Sequence, residues 1–128
     1  MGSLASTPAP LSLRCALSCG AATLVAYVGV VHEVVGATFY PDGPEAFGGP
    51  LGWHAAGVAA ILTGLLLGAG VLRVLSVPVR PLAAAVGLIG AVVFAVDLWH
   101  GSFHLFAFTL VVAGGFLAMT EPRSGAGT

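Results

Sequence analysis

Apolar residues fill four long blocks of this chain, at about 15–38, 52–75, 81–99 and 103–119, and the breaks between them are short. Each block approaches the ~20 helical residues that cross ~30 Å of hydrocarbon. None alternates apolar and polar positions as a half-buried strand does. Where no water can satisfy the backbone, such blocks form helices. The breaks carry the chemistry that ends helices. "YPDGPEAFGGPLG" (40–52) is rich in Pro and Gly. "SVPVRP" holds Pro78 and Pro81, the second suited to a first helical turn. "HGS" (100–102) offers a glycine break and Ser102 as an N-cap for the last helix. The pattern predicts an all-α, integral membrane four-helix bundle with short loops. It forms one transmembrane domain over 1–128, with flexible tails at 1–12 and 121–128. The first block is longer than a signal-peptide core and lacks a good cleavage site before Phe39, so it reads as a retained helix.

Composition strengthens the membrane reading. The 128 residues are 58% hydrophobic and 7% charged, with no Lys, Asn or Gln. Mean hydropathy is +1.04. A water-soluble domain of this size is roughly a quarter charged. The net charge of −1 gives no dense basic face, so a nucleic-acid partner is excluded. The partners this implies are the lipid bilayer and a larger membrane complex or a second copy of the chain. Arg14, Arg73, Arg80 and Arg123 all fall on one side of a four-span topology. The positive-inside rule then places both termini in the cytoplasm, in a membrane the sequence does not name. There Cys15 and Cys19 stay reduced.

The ionisable residues inside the blocks collect on the opposite side. His32 and Glu33 interrupt the valine run "VVHEVVG" (30–36), roughly 10 Å below the outer end of the first helix. His54 starts the second helix, Asp97 and His100 end the third, and His104 starts the fourth. Helices that alternate in direction bring all six to one depth. The Tyr40–Gly52 loop, with Asp42 and Glu45 as an acidic rim, is expected to roof this end. Small residues at 3,4 spacing mark the packing faces: Gly29 and Gly36 in the first helix, and Gly57, Ile61, Gly64 and Gly68 after His54 in the second. Ala83, Gly87, Gly90 and Phe94 lead to Asp97 in the third. Ala107 or Phe108, Val111, Gly114 or Gly115, and Ala118 follow His104 in the fourth.

Three functions are compatible with this polar layer. The first is an accessory, structural or scaffold subunit in which imidazole–carboxylate contacts fix helix register, with His54, His100 and His104 interfacial like the belt residues Trp53 and Trp99. The second is a metal or haem protein. His32, Glu33, His54, Asp97, His100 and His104 are chemically sufficient ligands for a metal ion, and His54 with His104 would suit a haem iron. No H-E-x-x-H, Glu-x-x-His or C-x-x-C spacing supports that set. The third is a membrane-embedded enzyme acting on a lipid-like substrate, with His32 and Glu33 as the acid–base pair and Asp97 orienting an imidazole. Intramembrane ionisable groups are functional candidates by default.

Overall fold

A computed structural model describes residues 12–39 and 49–122 of the chain. Among the described residues there are four helices and no strand: α1 (Leu13–Phe39), α2 (Gly49–Val71), α3 (Val79–Trp99) and α4 (Leu105–Thr120). Residues 40–48, with Asp42 and Glu45, lie outside the described residues, as do 1–11 and 123–128. Most of the expected roofing loop therefore falls outside the described residues, and of the expected tails only Ser12, Glu121 and Pro122 fall inside them.

Helices α1, α2 and α3 are long and apolar enough to cross a membrane. The 16 residues of α4 reach only about 24 Å, short of the ~30 Å core. Ser12 caps α1, its Oγ accepting the Cys15 N–H at 3.1 Å. Helix α2 ends four residues earlier than the apolar block does. Arg73 takes up a left-handed conformation (φ 59°); its N–H bonds to the Gly70 carbonyl and that of Val74 to the Ala69 carbonyl. Helix α3 closes with the same pair of bonds, Gly101 to Leu98 and Ser102 to Asp97, around Gly101 at φ 73°. Both are Schellman caps, which favour glycine at the left-handed position. Ser102 is not the N-cap of α4. That place belongs to His104, and the Ser102 hydroxyl donates back to the Asp97 carbonyl at 3.1 Å.

The helices pack as two hairpins. Helix α1 lies along α2, α3 lies along α4, and the hairpins meet mainly where α1 touches α4; α2 and α3 barely touch. Within hairpins the backbones approach through glycine. A methyl group at Gly64 would overlap the Ala26 backbone, and one at Gly114 would overlap the Gly87 backbone. Gly115 faces open space, so of the two glycines in the α4 stripe Gly114 makes the contact. Ala22 and Val25 of α1, Leu67 of α2, Ala83 of α3 and Leu117 of α4 form the centre of the core. The outer surfaces are covered with exposed Leu, Val and Ile. That arrangement suits lipid as solvent and leaves close packing to hold the helices together.

Candidate functional site

His32 and Glu33 are neighbours on α1, so their side chains leave the helix about 100° apart. His32 points into the bundle and is buried. Its ring stacks on the Trp53 indole of α2 at 3.8 Å and 12°, and meets the Phe106 ring of α4 at 4.3 Å. His32 Nε2–H donates to the Trp53 carbonyl at 3.1 Å, and Trp53 Nε1–H donates to the His32 carbonyl at 2.7 Å. A carbonyl oxygen has two lone pairs, so each can take a side-chain donor in addition to a helical bond. Local sequence makes the exchange feasible. The indole lies where a side chain at position 36 would be, and position 36 is glycine.

Glu33 turns toward α2. Its Oε2 accepts the Nδ1–H of His54 at 2.5 Å. Its Oε1 is buried without a hydrogen-bond partner, against the bare backbone of Gly57. The imidazole is more than half exposed (55%), so this pair sits at the rim of the bundle.

The second hairpin holds its own pair. Asp97, with 7% of its side chain exposed, places Oδ2 3.0 Å from His104 Nδ1. The separation suits an ion pair, but the approach is off the hydrogen-bond direction, and neither atom has a hydrogen-bond partner. His100 is exposed at the C-cap of α3 and joins neither pair.

The six residues are therefore brought to one end of the bundle, as their depths imply, but as one stacked histidine, two separate pairs and one exposed histidine. Among the described residues no three His, Cys, Asp or Glu side chains converge closely enough to hold a metal ion. The six-ligand set is thus not assembled. Trp53 is also not a belt residue. It is 4% exposed, whereas Trp99 is 88% exposed and fits a belt. The signal was in the spacing: Trp53, Gly57, Ala60, Gly64 and Leu67 form an unbroken 3,4 series and are the buried face of α2. Phe106 carried no such signal, because its contact with His32 spans two hairpins.

Between α1 and α4 lies a cavity of about 130 Å³, walled by Val28, Val31, Val35, Leu105 and Phe106, with His32, Trp53 and His104 contributing edges. Its walls are almost wholly apolar, and its size is close to that of cavities that accept a benzene-sized ring, ~150 Å³. The chemistry present at this end is thus imidazole–carboxylate pairing across helices, beside a small apolar space. Comparison of the chain with protein-family models, with curated proteins and with solved structures finds no match.

Proposed function

We propose that the chain is a small integral membrane subunit of accessory or scaffold type, crossing the bilayer four times with both termini cytoplasmic. Its histidines and carboxylates are interhelical clamps. The single observation behind this reading is that five of the six ionisable residues at this end are partnered within their own hairpins: His32 with Trp53, Glu33 with His54, and Asp97 with His104. A clamp needs two partners on facing helices, whereas a metal-ion site needs three or more converging protein donors, and His54 and His104, the pair suited to a haem iron, are each engaged by a carboxylate of their own hairpin. The bilayer tolerates the short α4 by local thinning or tilt of its neighbours. The apolar outer faces are then free to meet lipid, a larger complex or a second copy of the chain.

The sign of a stability change tests the clamp. Active-site residues are commonly held at a cost to stability, so removing them often stabilises the fold. A clamp behaves in the opposite way. Glu33→Gln and His54→Leu should each lower the unfolding temperature in detergent. The double variant should lose less than the sum, with a coupling of about 0.5–3 kcal/mol. The purified protein should also be colourless and metal-free. A rise in unfolding temperature for either single variant, or a Soret band, overturns the proposal.

The cavity beside His32 and His104 is the observation that favours the alternative, acid–base chemistry on a lipid-like substrate. That reading requires a flat apolar ring to enter it. Such a ring should raise the unfolding temperature of the wild type and not of a cavity-filling Val31→Phe variant.

A further inference from the structure

Two arginines meet at the end of the bundle opposite the histidines. Arg14 is in the first turn of α1, and Arg73 follows the last turn of α2. With Ser12, Cys15, Val71, Glu121 and Pro122 they line a notch of about 230 Å³. In contrast to the other cavities, its walls are largely polar. Arg14 Nη2–H donates to the Thr120 carbonyl at the end of α4, at 2.5 Å. A guanidinium has five N–H donors, so this bond fixes the group while leaving donors to face the notch. Among the described residues, the ion pairs are both histidine pairs at the other end, and neither guanidinium is neutralised by a carboxylate.

The backbone at Arg73 is the second observation. The two Schellman caps of this chain place Gly101 at one left-handed position and Arg73 at the other. A side chain there is disfavoured sterically, and strain kept at a position is a reason to look for a role. Here the strained residue is one of those that line the notch, beside Arg14. If the chain lies in a bilayer, this end of the bundle is at headgroup depth, where basic pockets between helices meet lipid phosphates.

We propose that Arg14 and Arg73 together bind a phosphate group, the chemistry shared by anionic phospholipid headgroups and free phosphate. Guanidinium forks match phosphate oxygens and hold them by charge-assisted bonds. Glu121 stands at the same notch and opposes the anion, which limits affinity and gives the site a residue of opposite sign.

The intact protein is placed in nanodiscs of phosphatidylcholine with increasing phosphatidylglycerol. Unfolding temperature and lipid retained in native mass spectrometry are read. Phosphatidylglycerol should stabilise the wild type. R14Q and R73Q should each need about fivefold more of it for the same shift, as expected for about one arginine's worth of surface attraction. E121Q should need less. R80Q, at the start of α3 and outside the notch, should respond as wild type. In pure phosphatidylcholine discs, phosphate is added against chloride of equal ionic strength. A shift there that R73Q removes keeps the site and names free phosphate as the source. Equal losses for R73Q and R80Q would mean diffuse surface attraction, and no preference for either phosphate form would mean no site; each overturns the proposal. R73Q also separates binding from the capping of α4, since it is Arg14 that bonds to the Thr120 carbonyl.

Discussion

At His32 an apolar helix carries a polar ring where no water can satisfy it, and burial without partners would cost several kcal/mol. The chain meets that cost by exchange. Histidine and tryptophan each donate to the other's backbone while their rings stack. The arrangement depends on a third residue that contributes no atom to it. Gly36 leaves the space that the Trp53 indole fills. Trp53→Phe should keep most of the stack and lose one hydrogen bond, costing about 1 kcal/mol. Gly36→Ala should cost more, about 1–3 kcal/mol, because the added methyl displaces the whole ring. Chemical unfolding of both variants in detergent compares them. A milder effect for the glycine variant would show that the indole does not need that space. The presence of His32 and Glu33 in "VVHEVVG" was evident from sequence. Their partners were not, because Trp53 looked equally suited to a membrane interface until its position on the buried 3,4 series of α2 was taken into account.

Helices in this chain are chosen by hydrophobicity and ended by backbone geometry, which explains which boundaries were legible. Gly101 and the Pro78–Pro81 region have strong local signals, and α3 starts and stops within two residues of its apolar block. Arg73 has no such signal. Nothing local predicts an arginine in a left-handed cap, so the end of α2 at Val71 could not be read. Packing faces follow the same logic. Gly and Ala are so frequent that the α4 stripe could run through Gly114 or Gly115, and only the approach of α3 decides between them. That choice is testable between adjacent residues. Gly114→Ala should be strongly destabilising, since its methyl meets the backbone of Gly87 and the Ala83 carbonyl. Gly115→Ala meets nothing within 4 Å and should be neutral, or stabilising by up to about 1 kcal/mol through helix propensity. Thermal unfolding of the two variants side by side measures the difference. Equal losses would mean that the α3–α4 contact is not centred on Gly114.

As a whole the molecule is two hairpins joined along one seam. Depth along the chain was legible because alternate helices reverse direction, so the six ionisable residues had to share one end. The partition into pairs was not, since it depends on which helices become neighbours. Helices consecutive in sequence, α1 with α2 and α3 with α4, hold the ionisable pairs and most of the close glycine contacts, whereas α2 and α3, also consecutive, touch little beyond Gly70 against Val79. The connection at 72–78 therefore contributes little to holding the hairpins together. The α1–α4 seam does that, with His32 against Phe106 near one end, Arg14 bonded to Thr120 at the other, and Val25, Leu110 and Leu117 in the core between. Segments 1–76 and 77–128, expressed together from separate genes, should therefore find each other in the membrane and co-purify through a tag on one of them, as preformed hairpins do when packing alone drives association. Weakening the seam should matter more than cutting the connection. Phe106→Ala with Arg14→Gln in the split pair should abolish co-purification, while the same two changes in the continuous chain should lower the unfolding temperature without preventing folding. If the split halves fail to associate with the seam intact, the 72–78 connection is a structural requirement and the two-hairpin description does not hold.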